Sequence, residues 1–409
     1  MANLKLFMLN FIQILLIILL SGCKSPTDAQ NNKQTKHSKE VIQPGAYQTS
    51  EYFKFLHNKK IGLVINQTSC IGNTNIADSL IRAGFQVQKI FAPEHGFRGQ
   101  ADAGEEIKDG IDLKTGVQII SLYGNKKNPS NEDLKNIDIL IFDIQDVGVR
   151  FYTYISTLHY IMEASANNGI PLIVLDRPNP LGFYIDGPVL DLKYASFVGM
   201  HPIPIVYGLT IGELALMIIG ESWLKTDKKC DLKIVACKNY NHSKLYELPI
   251  APSPNLRTQR SILLYPSLCL FEGTKVSVGR GTEYPFEVYG YPGYSGGNIN
   301  FTPIPTTGAK DPLYNGLVCN GFSLNNLPIS YLISDKSIKL NYLLDMYQTS
   351  SKSDFFLPNN FFNKLAGNEI LQEQIKSGMN VEQIRSTWKS ELEKYNLIRK
   401  KYLLYKDFQ

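Results

Sequence analysis

Ile137-Asp138-Ile139-Leu140-Ile141-Phe142, followed at once by Asp143-Ile144-Gln145-Asp146-Val147-Gly148-Val149-Arg150, decides the fold. The first six residues are apolar except Asp138, the pattern of a central parallel strand covered on both faces. The next eight abruptly bring carboxylates, an amide and a guanidinium. Outward from this stretch the chain alternates between strand and helix periodicity. Towards the N terminus, residues 117–122, 87–91 and 61–65 read as strands. Between the last two, Ile76, Leu80, Ile81 and Ala83 mark one face of a helix over 75–83 that stops at Gly84. Towards the C terminus, residues 154–167 read as a helix ending before Gly169, and 171–175 as a strand. Residues 210–224 read as a helix with Thr210 and Glu213 at capping-box spacing, and 232–236 as a last strand. This alternation predicts an α/β fold, a parallel sheet with helices on both faces.

In such sheets ligands bind beyond the carboxyl ends of the strands. Polar clusters follow three of the expected strands. After 87–91 comes Ala92-Pro93-Glu94-His95-Gly96-Phe97-Arg98-Gly99, after 137–142 the stretch ending in Arg150, and after 171–175 Asp176-Arg177-Pro178-Asn179-Pro180. Functional residues concentrate on loops held by a rigid scaffold. Helix caps and loop ties account for other acids, Asp138 and Glu213 among them.

Around residue 250 the composition changes. Pro249, Pro252, Pro254 and Pro266 break regular structure. A second dense stretch follows: Phe271-Glu272-Gly273-Thr274, then Gly279-Arg280-Gly281-Thr282-Glu283, then a Tyr/Gly run at 289–297. That run reads either as a flexible turn or as an aromatic platform for a sugar ring. Helical periodicity returns at 338–346 and at 381–397, the latter capped from Asn380. Residues 249–409 are expected to form a smaller α+β domain after an α/β domain over 46–248.

Residues 1–22 read as a lipoprotein signal peptide. Lys5 is the only charge before Cys23, residues 11–20 are nearly all apolar, and Leu20-Ser21-Gly22-Cys23 resembles a lipoprotein cleavage box. The expectation is an exported protein carrying lipid on Cys23, held to a bacterial membrane at the periplasmic face or cell surface by that anchor alone, with residues 23–45 as a polar tether. Removing Lys5 leaves the formal charge at 5 − 1 = +4, too weak and scattered for nucleic acid. The six histidines include no i, i+3 or i, i+4 pair, so no metal site is expected. Neither a P-loop nor a serine nucleophile is expected. The five cysteines after Cys23 read mostly as small buried hydrophobes.

What the loops offer in quantity is carboxylates (Glu94, Asp143, Asp146, Asp176, Glu272, Glu283, Glu287) with arginines among them (Arg98, Arg150, Arg177, Arg280). Paired carboxylates with arginines and aromatics fit glycoside hydrolysis of an anionic sugar.

Four strings, in order, resemble the exo-β-N-acetylmuramidase family of NamZ type, long described only as a domain of unknown function. They are Pro93-Glu94-His95-Gly96-Phe97-Arg98-Gly99, residues 143–154 through Phe151-Tyr152-Thr153-Tyr154, Asp176-Arg177-Pro178-Asn179-Pro180, and Glu272-Gly273-Thr274 through Gly279-Arg280-Gly281-Thr282. The resemblance runs from about residue 50 to the end, with Lys275 standing where it implies an asparagine. It implies a Rossmann-like first domain, a smaller second one and a cleft between them. It also implies release of N-acetylmuramic acid from the non-reducing end of peptidoglycan-derived disaccharides and glycan fragments. No cofactor is expected, since a Rossmann-like sheet does not imply a nucleotide.

In that setting Glu94 is the expected general acid. Glu283 is the first candidate for the second acid, with Glu272 and Asp143 behind it. His95, Arg98, Asp143, Asp146, Arg150, Tyr152, Asp176, Arg177, Asn179 and Arg280 are the expected substrate-binding residues. Arg98, Arg150 or Arg280 is expected to hold the lactyl carboxylate that distinguishes muramic acid from glucosamine. The alternatives are a lipid-anchored muropeptide-binding protein, or an esterase or deacetylase acting on the same sugar.

Overall fold

A computed structural model describes residues 40–98 and 109–409. The expected signal peptide, Cys23, most of the tether and Gly99 lie outside the described residues. The chain enters through a short helix α1 (Thr49–Tyr52), strand β1 (Lys60–Ile65) and a small hairpin of β2 (Cys70–Ile71) and β3 (Thr74–Asn75). Helix α2 (Ile76–Arg82) leads to β4 (Gln86–Ala92), β5 (Gly110–Ile111), β6 (Gln118–Ser121) and β7 (Ile139–Asp143). Then come α3 (Tyr154–Asn168), β8 (Leu172–Leu175), α4 (Ile211–Gly220) and β9 (Leu232–Val235). The remainder holds α5 (Gln259–Leu268), β10 (Val288–Tyr291), β11 (Ile299–Phe301), β12 (Cys319–Ser323) and helices α6 (Ile329–Ser334), α7 (Leu340–Thr349), α8 (Phe361–Ala366), α9 (Ile370–Lys376) and α10 (Val381–Arg399).

Among the described residues, seven strands form one sheet in the order β5-β6-β4-β1-β7-β8-β9. All pairs are parallel except β5 with β6. Leaving β5 aside, the chain builds outward from β1 to β6, then returns to the other side of β1 with β7. This is the doubly wound order, with its reversal between β1 and β7, where such folds form a crevice at the carboxyl edge. β7 is buried along its whole length, as its apolar run predicts. Alternate residues serve opposite faces: Ile139 and Ile141 pack with Leu63, Ile65 and the α2 residues Ile76 and Leu80. Leu140 and Phe142 pack with Leu158 of α3 and Leu214 of α4.

Helix ends follow the sequence signals. Gly169 closes α3 at φ 62°, a left-handed cap that favours glycine. Thr210 and Glu213 form the expected capping box of α4, which ends at Gly220 rather than at 224. Asp138 ties β1 to β7 by accepting from the Lys60 amide at 2.8 Å.

The second half departs from expectation in two places. Pro266 does not break the chain: it lies in the last turn of α5, which Thr258 and Ser261 cap and a 3-10 turn, Cys269–Gly273, prolongs. The Tyr/Gly run is neither a loose turn nor a sugar platform at its start. Val288–Tyr291 is a strand of the three-stranded antiparallel sheet β10-β12-β11, and Tyr289 stacks inside on Phe271 at 5.2 Å. The larger apolar core runs on from the sheet through Phe271, Leu343, Phe362 and Trp388, so the two halves share one interior. The C-terminal tail crosses back to the first half, where the Tyr405 hydroxyl reaches Asp176 at 2.5 Å.

Candidate active site

Glu94 follows the end of β4, next to the sheet's reversal point. Pro93 turns the chain, and His95 and Gly96 take φ of 69° and 75°. For histidine that is a strained backbone, of a kind that clusters at functional sites. Phe97, only 3% exposed, anchors the turn in the core. The Thr153 hydroxyl donates to Glu94 Oε2 at 2.8 Å. Thr153 occupies the N-cap of α3 yet makes no side-chain cap bond. A threonine there usually accepts from the first turn; here its hydroxyl orients the carboxyl instead.

Glu272 approaches the same cavity from the 3-10 turn after α5. Arg280 Nε donates to Glu272 Oε1 at 2.6 Å, and the guanidinium lies 5.0 Å from the Phe286 ring. Burial alone favours a neutral Arg280, but the Glu272 carboxylate more than offsets it and holds the charge. Arg280 Nη1 is buried without a partner in the fold. The neighbouring Cys269 thiol, 3.4 Å from Glu272, is pushed well up by burial and then by that carboxylate, so it is a neutral thiol.

Glu94, His95, Tyr152, Thr153, Glu272 and Arg280 line one cavity of about 200 Å³, with Tyr265, Phe286 and Phe197 as aromatic walls. A hollow of about 500 Å³ beside Ile219, Cys230 and Tyr402 gathers no pair of carboxylates. Tyr152 is fixed by donating to the Pro252 carbonyl at 2.8 Å.

The other expected site residues lie elsewhere. Glu283, the first candidate for the second acid, is exposed on a turn and does not line the cavity. Asp143 is fully buried and takes a bidentate pair from Arg177, at 2.6 and 2.9 Å. Burial raises its pKa, and Arg177 opposes the shift. Asp146, raised to about 7 by burial, accepts from the Tyr207 hydroxyl and the Gly148 amide. Asp176, raised to about 6 by burial, accepts from Thr210 at 2.7 Å and from Tyr405. Asn179 bridges Leu209 O and Leu181 N at 2.8 and 2.7 Å. Its amide sits 2.1 Å from where a Cβ on Gly148 would lie, which is why residue 148 must be glycine. These residues form buried framework and do not line the cavity.

The arginines separate as clearly. Arg150 is fully buried and clamps four carbonyls: Pro188 and Ile203 on the sheet side, Leu365 and Ala366 on α8. It joins the two halves and does not line the cavity. Arg98 is exposed, paired with Asp112 at 2.9 Å and lying over Phe97. Arg280 is the arginine of the three that lines the cavity.

Gly293-Tyr294-Ser295-Gly296-Gly297 has the spacing of a nucleophile elbow. It lies between strands of the antiparallel sheet with Ser295 exposed, not on a strand-to-helix turn. The cysteines Cys70, Cys230, Cys237, Cys269 and Cys319 are all free, and all but Cys70 are buried. Among the described residues no three His, Cys, Asp or Glu side chains gather as a metal would require.

Two carboxylates and a charged guanidinium in one aromatic-walled cavity at the sheet's carboxyl edge define a carbohydrate-processing type of site. The chain belongs to the exo-β-N-acetylmuramidase NamZ family: the family's N-terminal domain matches residues 61–260 and its C-terminal domain residues 263–405. It is 40% identical over 381 residues to the peptidoglycan β-N-acetylmuramidase NamZ of Bacillus subtilis, covering 87% of this chain and 89% of that one. Two crystal structures of DUF1343 family proteins from Bacteroides fragilis are similar. One is 47% identical with a TM-score of 0.83, covering 90% of this chain and 100% of its own. The other is 28% identical with a TM-score of 0.74, covering 89% and 99%.

Proposed function

We propose that this chain is an exo-acting glycoside hydrolase that releases N-acetylmuramic acid from the non-reducing end of peptidoglycan fragments. The observation that carries the reading is the convergence of Glu94 and Glu272 with Arg280 on one small cavity. Ligand pockets usually run to ~300–1,000 Å³; at about 200 Å³ this one suits a single terminal sugar.

In this reading Glu94 is the general acid. Thr153 donates to Oε2 and fixes the carboxyl that carries the proton to be transferred. As the glycosidic C–O bond breaks, its electron pair goes to the leaving oxygen, which takes that proton. Glu272, paired with Arg280 at 2.6 Å, faces the oxocarbenium-like charge. Water then supplies the hydroxyl at the anomeric carbon and returns a proton to a carboxylate. Glu272 takes the role first expected of Glu283.

Arg280 is also the residue for the lactyl carboxylate, through its unpartnered Nη1. Arg280→Lys keeps a charge beside Glu272 but loses the planar fork. The ratio of kcat/KM for a nitrophenyl muramide over the matching glucosaminide is expected to fall roughly tenfold, the size of one charge-assisted hydrogen bond. Equal losses on both substrates would remove Arg280 from this role.

We also propose that the protein is exported and lipid-anchored through Cys23, on the strength of Leu20-Ser21-Gly22-Cys23. Cys23→Ala should leave the protein unprocessed or soluble; a variant that still sediments with membranes after processing would contradict this. The hydrolase reading itself is tested by turnover of a chromogenic muramide with product analysis. Release of acetate in place of the sugar would make it a deacetylase, and binding without turnover a capture protein.

A further inference from the structure

A second cavity, of about 540 Å³, adjoins the first, and Phe197 lines both. Phe197 sits between Tyr123 on the catalytic side, 6.2 Å away, and Tyr160 on the other, stacked at 6.4 Å. The ammonium of Lys127 lies 4.6 Å from the Phe197 ring. Further along the wall, Trp223 stacks on His201 with ring centres 5.3 Å apart.

Behind that stack runs a chain of buried hydrogen bonds. His159 Nε2 lies 3.0 Å from Glu163 Oε1, and His159 Nδ1 lies 2.9 Å from His201 Nε2. Glu163 Oε1 also accepts from the Lys225 amide at 2.7 Å. The carboxylate can only accept, so His159 donates through Nε2 and presents Nδ1 as an acceptor. His201 must then donate through Nε2, which leaves its own Nδ1 as a bare lone pair. Burial, with His159 as a lesser cause, drives the His201 pKa down to about 3, and burial lowers that of His159, so both rings are neutral at working pH. His201 is 1% exposed, and its Nδ1 has no partner in the fold; nor has the buried Ser196 Oγ in the same wall. Polar groups buried without partners are costly and call for an explanation.

We propose that this second cavity is a carbohydrate subsite that takes the part of a longer glycan lying beyond the scissile bond. The inference rests on the glycoside hydrolase reading above. The catalytic cavity has room for one sugar, so the rest of the chain must run outside it. The aromatic strip Tyr123-Phe197-Tyr160 offers a continuous surface for the apolar faces of successive rings. His201 Nδ1 is an acceptor for an acetamido N–H or a hydroxyl. Lys127 and Lys225 in the same wall suit the carboxylate of the next muramic unit.

The test compares two peptide-free substrates, the muramyl-glucosaminyl disaccharide and the tetrasaccharide of two such units. Wild type should have the higher kcat/KM on the tetrasaccharide. Trp223→Ala and Lys127→Ala should each lower that value by roughly 3–10-fold, mainly through KM, with the ratio of tetrasaccharide to disaccharide falling in step. Lys127 is a half-buried surface residue, so its variant keeps the test valid if Trp223→Ala fails to fold. A ratio unchanged in the Lys127 variant and in a folded Trp223 variant would overturn the subsite while leaving the hydrolase reading intact. Failure of the wild type to cleave either substrate would instead overturn the hydrolase reading, and the subsite with it.

Discussion

Glu94→Gln is expected to lower turnover of the natural disaccharide by roughly 10²–10⁴-fold, the usual contribution of a positioned general acid. Glutamine keeps the shape of the side chain, and its amide oxygen can still accept from Thr153, so the fold and thermal stability should be unchanged. What is lost is the transferable proton. A sugar alkoxide is a poor leaving group and needs that proton as the bond breaks; a nitrophenolate leaves without it. The deficit should therefore shrink sharply on a nitrophenyl muramide. Steady-state kinetics on both substrates check the prediction, since an equal loss on the two would make Glu94 a binding residue rather than the acid.

Arg177→Ala is expected to cost ~3–5 kcal/mol of stability, read from urea or thermal unfolding. Removing the guanidinium strands Asp143, which is fully buried and has both oxygens in the bidentate pair. The ion pair itself need not be favourable relative to an apolar pair, because two charges were desolvated to make it. Breaking it from one side is what costs. Replacing Asp143 and Arg177 together should therefore cost less than Arg177→Ala alone. If Arg177→Ala left stability within ~0.5 kcal/mol of wild type but abolished turnover, Arg177 would belong to the substrate and not to the framework.

That contrast between framework and cavity is what the sequence leaves open. The sheet was legible because burial on both faces writes an unbroken apolar run, and 139–142 is such a run. The loops were legible as candidate sites because charged residues cluster after strand ends. Which of those charges faces open space is set by contacts far apart in sequence. Arg150 is consumed by carbonyls of residues 365 and 366, and Asp176 by Tyr405, partners that no local spacing announces. Glu272 and Glu283 look alike on the page; the turn after α5 carries the first into the cavity and leaves the second exposed. Thr153 is named by sequence only as one residue of a motif string. No local signal marks it: Thr153 and Ser156 have the same spacing as Thr258 and Ser261, which do form a capping box on α5. The Glu163-His159-His201 chain was not legible, since 42 residues separate the two histidines.

The cavity is expected to cut the bond on the reducing side of a terminal N-acetylmuramic acid. The direct test is to incubate the purified mature protein with the muramyl-glucosaminyl disaccharide and identify the products by mass spectrometry and chromatography. Free N-acetylmuramic acid and N-acetylglucosamine in equal amounts, formed by wild type and lost with Glu94→Gln, is the predicted result. An intact disaccharide, release of acetate, or undiminished cleavage by Glu94→Gln would contradict it.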